Sequence, residues 1–138
     1  MKSKKIFLYT DGGSRENPGP AGIGVVILDS AKKRIKDFYK YIGETTNNVA
    51  EYNALIHGLE EVVKLNADEV VINIDSELIA KQLNGEYRVK DSTIKPLFEK
   101  ALGILKTFRS FEIKHIERSK NKEADKLVNK AINLASLF

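Results

Sequence analysis

The hydrophobic pattern of this 138-residue chain first changes period near Asn48, and that change limits its possible folds more than any other feature. Before it come three strand-like segments: "KIFLYT" at 5–10, "AGIGVVILD" at 21–29 and "RIKDFYKYI" at 34–42. Only "SAKK" separates the last two, a hairpin-length break, so the three read as an antiparallel meander. After Asn48 the apolar residues Leu55, Ile56, Leu59, Val62 and Val63 recur at helical spacing, ending near "LNAD". "EVVINID" at 69–75 is nearly all apolar, as expected of a strand covered on both faces. "SELIAKQL" reads as a short helix stopped at Asn84 and Gly85. Ile94, Leu97, Phe98, Ala101, Leu102, Leu105 and Phe108 form an amphipathic stripe, and "SFEIKHIE" at 110–117 returns to strand. "NKEADKLVNKAINLASLF" closes the chain with a helix, apolar on Ala124, Leu127, Val128, Ala131, Ala135 and Phe138, whose end is expected to dock on its own core. The order β-β-β-α-β-α-α-β-α predicts an α/β domain over 1–138, a mixed sheet with helices on its faces.

Composition removes several chemistries. The chain has no Cys, so disulfides, thiolate nucleophiles and sulfur-ligated zinc are excluded, and two His make a zinc enzyme a poor fit. The absence of Cys suits a reducing compartment. No apolar run approaches the roughly 18 residues of a membrane span, and "MKSKK" leads into a strand without a signal-peptide core, which predicts a cytoplasmic protein. The net charge of +4 permits a nucleic-acid partner without requiring one.

Four carboxylates stand out. Asp11, in "YTDGGSRENPGP", reads either as a turn residue or as an acid that glycine lets something approach. Glu51 resembles the last residue of a capping box begun by Asn48. At 100° per residue, however, it lies about 40° from Leu55, so it points along the buried stripe, where a charge needs a partner. Glu60, about 180° from Glu51, is a solvated acid. Asp75 ends an apolar strand, although Ser76 can equally cap the helix that follows. Asp125 lies in the first turns of the last helix, where an acid suits the helix dipole. Two acids at strand ends and two near helix starts can lie at one end of a sheet, where their mutual repulsion calls for cations. Hard Mg²⁺ or Mn²⁺ ions suit such oxygens, and a pair of them would support phosphoryl-transfer chemistry.

"YTDGGSRENPGPAGIG", "TTNNVAEYNAL", "INIDSELI" and "NKEADKL", in this order and spacing, resemble type 1 ribonuclease H over essentially the whole chain. The resemblance implies a five-stranded mixed sheet, three antiparallel strands then two parallel, flanked by helices. It implies hydrolysis of the RNA strand of RNA/DNA hybrids, leaving 5′-phosphate and 3′-hydroxyl ends. Asp11, Glu51, Asp75 and Asp125 match the family's metal-binding carboxylates. Gly12, Gly13, Ser14, Asn17, Thr46, Asn47 and Asn48 fall in its nucleic-acid-contacting segments. Glycines after Asp11 then let a sugar-phosphate backbone approach, and amides can recognise ribose 2′-hydroxyls without reading sequence.

The chain departs from the best-known bacterial members in three places. Val49 stands where they carry a basic residue, "NGEYRVKDST" is too short for their basic protrusion, and the loop "ERSKNKEAD" lacks their His. Lys90, Lys95, Lys100, Lys106 and Arg109 are the candidates for a basic face. Arg118 is the candidate to meet the scissile phosphate, against a surface ion pair with Glu117 or Glu123. His115 reads as a strand residue and His57 as exposed. The expected protein is a monomeric enzyme using two Mg²⁺ or Mn²⁺ ions, with Asp11 and Asp75 least replaceable. Its alternatives are a non-catalytic hybrid or double-stranded RNA binder, a double-stranded RNA nuclease, and a DNA junction resolvase. Four uncompensated acids argue against the binder, and one domain is too little for a two-domain ATPase of related fold.

Overall fold

The computed structural model describes residues 4–137, so Phe138 and the first three residues of "MKSKK" lie outside the described residues. Strands β1 (Lys5–Ser14), β2 (Gly19–Leu28) and β3 (Arg34–Thr45) form the expected meander. Then come α1 (Asn47–Lys64), β4 (Glu69–Ile74), α2 (Glu77–Leu83), α3 (Ile94–Leu105), β5 (Ser110–His115) and α4 (Lys122–Ala135). A single 3₁₀ turn at Arg118–Lys120 precedes α4. The sheet order is β3-β2-β1-β4-β5, with β1 antiparallel to β2 and β2 to β3, and with β4 parallel to both β1 and β5.

Burial explains why the strands differ in composition. All but the first residue of β4 are buried, because β4 lies between β1 and β5 with helices above it. Edge strand β3 carries Arg34, Lys36, Asp37 and Lys40, all exposed, and charges of this kind discourage pairing with another chain. On one face α1 packs against β1 and α3, while α4 covers β2 and β3. Ile6, Leu8, Leu55, Leu59, Ile72 and Leu105 are wholly buried between them.

Several local expectations need correction. Asp11 is not in a turn: β1 continues to Ser14, paired as Asp11 to Gly24 and Gly12 to Ile23. The cap of α1 is Thr46, whose Oγ1 accepts from Val49 N at 3.3 Å, so Asn48 and Glu51 form no capping box. Capping by Thr46 leaves Glu51 free to face the cleft. Ser76, not Asp75, caps α2 by accepting from Ile79 N at 3.2 Å. Val63 is exposed, one position beyond the buried stripe. His57 is half-buried, its Nδ1 bonded to Asn53 O at 2.8 Å, and His115 is an exposed end of β5. The end of α4 does not dock fully: Ala131 and Ile132 are buried, but Leu134 and Leu137 are 38% and 74% exposed, because Leu134 lies about 100° round the helix from the middle of the buried stripe and Leu137 lies beyond the helix end.

Candidate metal and nucleic-acid site

Strand register brings the first two acids together. The parallel β1–β4 pairing ends at Tyr9 opposite Asn73, and two residues further along each chain stand Asp11 and Asp75. There β4 turns away into α2 while β1 continues, which opens a crevice at the carboxyl ends of the parallel strands, where ligands of open α/β sheets usually sit.

Glu51 arrives because of Gly12. A Cβ on Gly12 would lie 2.2 Å from Ala50 O and 2.6 Å from Glu51 N, so the backbone of α1 rests directly on that of β1. The glycine read as clearance for a substrate is therefore occupied by a helix. Gly13 does open toward the cleft: a Cβ there would meet only Asn47 Oδ1 and Val128 Cγ1, both at 3.8 Å. Across the sheet, a Cβ on Gly24 would lie 2.2 Å from Ala124 O, so α4 comes as close to β2 and carries Asp125 to the same end.

Ligand oxygens of Asp11, Glu51 and Asp75 all lie within 4.8 Å of one another. They line a cleft of about 480 Å³ together with Asp125, Arg118, Gly12, Gly13, Ser14 and Asn47. Burial raises the Asp11 pKa from 3.8 to about 9, with Asp75, Glu51 and Asp125 adding to the rise. Burial and then Asp75 lift Glu51 from 4.5 to about 7, partly offset by hydrogen bonds from Asp11 and Ser76 and by the charge of Arg118. Hydrogen bonding between the two raises Asp11 and lowers Glu51. Arg118 pairs with neither Glu117 nor Glu123. Its Nη2 lies 3.8 Å from Asp125 Oδ1, with 83% of the side chain exposed at the rim.

The amide segment knits itself together before it meets any ligand. Ser14 N and Oγ donate to Asn47 Oδ1 at 2.8 and 3.1 Å, and Asn47 N donates to Asn17 Oδ1 at 3.0 Å. Asn17, Thr46 and Asn48 do not line the cleft; the first two fix the start of α1, and Asn48 is exposed on its first turn. Sequence reasoning missed Arg15, Asn129, Val128 and Ile132, which line the cleft, and Asn121, which reaches Asp75 from behind. An i, i+4 reading from Asp125 points to Asn129, whereas Arg15 and Asn121 carry no periodic signal.

A family described as reverse transcriptase-like matches residues 9–131. A ribonuclease H1 of Halobacterium salinarum is 36% identical, superposes with a TM-score of 0.91, and is matched over 94% of this chain and 98% of its own. The chain belongs to the type 1 ribonuclease H family. The N-terminal ribonuclease H domain of a Mycobacterium tuberculosis protein is 38% identical, with a TM-score of 0.94 over 98% of both chains. LC11 ribonuclease H1, solved in complex with an RNA/DNA hybrid, is 48% identical, with a TM-score of 0.89 over 94% of this chain and 98% of its own. The chain spans 36% of the length of the full curated Mycobacterium tuberculosis relative, a bifunctional protein, and 65% of the curated Halobacterium ribonuclease HI. Ribonuclease H architecture thus accounts for the sheet order and for the crevice beside β4.

Proposed function

We propose that the protein is a metal-dependent endoribonuclease that hydrolyses the RNA strand of RNA/DNA hybrids, with water as nucleophile and 5′-phosphate and 3′-hydroxyl ends as products. The observation carrying this reading is the meeting of Asp11, Glu51 and Asp75 within 4.8 Å in an open cleft. The donor set is all oxygen, which suits Mg²⁺ or Mn²⁺, and the raised pKa values of Asp11 and Glu51 mark a site short of positive charge. Asp11, Glu51 and Asp75 would hold the cations, two per site with substrate, and Asp125 would complete the set from the rim. Bound there, they would supply the positive charge that a phosphate under in-line attack needs on both its attacking and its departing side.

The remaining roles fall to the chain itself. Gly13 leaves the floor beside Asp11 open, so a sugar-phosphate backbone can descend onto the carboxylates. Asn47 spends its Oδ1 on Ser14, which leaves its amide N–H groups for a ribose 2′-oxygen or a base edge. Ser14 lines the same wall, and Asn48, exposed on the next position, extends it along the backbone. Gly12, Asn17 and Thr46 act from behind by seating α1. Arg118 reaches from the rim toward the scissile phosphate. The hybrid bound by the LC11 relative supports this substrate class. The protein is read as a monomer acting as one domain over 1–138, in a cytoplasm whose reducing conditions suit a chain without Cys. Among the described residues no helix is long and apolar enough to cross a membrane.

The test is cleavage of end-labelled RNA/DNA hybrid, RNA duplex, single-stranded RNA and DNA duplex, with Mg²⁺, Mn²⁺ or EDTA, beside Asp11→Asn. Metal-dependent cutting of the hybrid's RNA, lost in the variant, is the expected result. Cutting that survives Asp11→Asn overturns the mechanism, and hybrid binding without any cutting makes the protein a binding module.

A further inference from the structure

Asn121 occupies the N-cap position of α4 but makes no side-chain cap hydrogen bond. It is 2% exposed, and its Nδ2 donates instead to Thr10 O at 2.9 Å and to Asp75 Oδ2 at 3.0 Å. Both partners are acceptors, so the amide can face only one way; turned over, Oδ1 would abut a carbonyl and a carboxylate. The cost is visible: Asn121 Oδ1 is the one buried side-chain N or O atom without a hydrogen-bond partner among the described residues. An asparagine kept only to start a helix would accept from the free N–H groups of the first turn. This one leaves its acceptor unpaired to aim its donor at an acid.

We infer that Asn121 is a positioning residue of the metal site, tying the start of α4 to β1 and fixing the Asp75 carboxylate so that Asp11, Asp75 and Asp125 keep one relative geometry. The connections are short. Thr10 is adjacent to Asp11, and Asp125 N donates to the main-chain Asn121 O at 3.1 Å, so this one residue bonds the segments that carry all three acids, two through its side chain and the third through its backbone. Asp75 Oδ2 accepts from Asn121, which restrains the rotation of the carboxylate and leaves Oδ1 outside that hydrogen bond. Outer groups of this kind set the orientation of metal-ligating oxygens, and their loss typically weakens metal binding about 10–100-fold.

This inference rests on the proposed metal site, and its test separates the two. Mn²⁺ is titrated calorimetrically into the substrate-free protein, and hybrid affinity is measured in EDTA, for wild type, Asn121→Ala, Asn121→Ser and Val62→Ala. Serine is a good N-cap and keeps the helix start, but its one hydroxyl proton cannot serve both Thr10 O and Asp75. Val62→Ala opens a cavity in the core about three helical turns from Glu51 and controls for loss of stability alone. The expected result is Mn²⁺ affinity reduced about tenfold or more in both Asn121 variants. Val62→Ala should bind Mn²⁺ like wild type despite a lower Tm, and hybrid affinity in EDTA should be unchanged throughout. Wild-type Mn²⁺ affinity in Asn121→Ser overturns the positioning role while leaving the metal site standing. An equal loss in Val62→Ala reduces the effect to stability and also overturns it. Absence of Mn²⁺ binding by the wild type overturns both readings.

Discussion

Asp11 is costly to the fold in the place where the proposed site would use it. An acid whose folded pKa lies above its unfolded value binds its proton more tightly when folded. Its contribution to stability is therefore full below 3.8 and is lost as pH rises toward about 9. In EDTA the wild type should lose thermal stability over that interval. Asp11→Asn should flatten the dependence and be more stable above neutrality by about 1–3 kcal/mol, the scale of relieving a buried unpaired group. Saturating Mg²⁺ should reverse the order by stabilising the wild type alone. Melting curves against pH with and without EDTA read this directly, and parallel curves for the two proteins would contradict it. The same variant should lose more turnover than the roughly 10–100-fold typical of groups behind a metal site. Arg118 belongs to the opposite class. Its pairing with Asp125 is 83% exposed on the arginine side, and such pairs contribute about 0–1 kcal/mol. Arg118→Ala should therefore leave Tm nearly unchanged while turnover falls, and unchanged turnover would remove it from the reaction.

At the scale of elements, the site depends on how closely two helices approach the sheet. Gly12 lets α1 touch β1 and Gly24 lets α4 touch β2, both at distances no side chain allows. Gly12→Ala should cost about 1–3 kcal/mol through overpacking and, by moving Glu51 off Asp11, weaken Mn²⁺ binding as well. Gly103, within α3, offers the contrast, since a Cβ there meets nothing within 4 Å. Gly103→Ala should stabilise by about 0.5–1 kcal/mol with activity unchanged, because only helix propensity is altered. Chemical denaturation and calorimetry on the pair would show whether glycine at position 12 serves the helix or the substrate. The elements themselves were largely legible, since periodicity is local: each strand and helix falls within a few residues of its expected bounds. What escaped was the length of β1, because Asp, Gly and Ser at its end look like a turn until β2 is seen to pair with them.

For the whole molecule the proposed substrate is a polyanion, and the net charge of +4 places the weight on where the cations sit. Of the basic candidates, Lys90, Lys95, Lys100 and Lys106 are exposed, but Arg109 is engaged by Asp68 at 3.6 Å and Glu69 at 3.1 Å. If α3 faces the hybrid, replacing Lys95 and Lys100 by Glu should weaken hybrid binding and make its dependence on salt shallower, because fewer counterions are released. Binding titrations across a salt series measure both, and an unchanged slope would assign those lysines to solvent alone. By itself the sequence determined the order of elements and the class of sheet and marked out the four acids as candidates, since each follows from local periodicity or from a motif contiguous along the chain. Tertiary structure alone decided that Gly12 seats a helix, that Asn17 and Thr46 fasten α1 rather than line the cleft, that Leu134 and Leu137 stay exposed, and that Asn121 serves Asp75. Apart from the cap that Thr46 makes on Val49, three residues away, the contacts behind these outcomes join residues far apart in the chain, from Asn17 and Asn47, 30 positions apart, to Thr10 and Asn121, 111 apart, which no local pattern encodes.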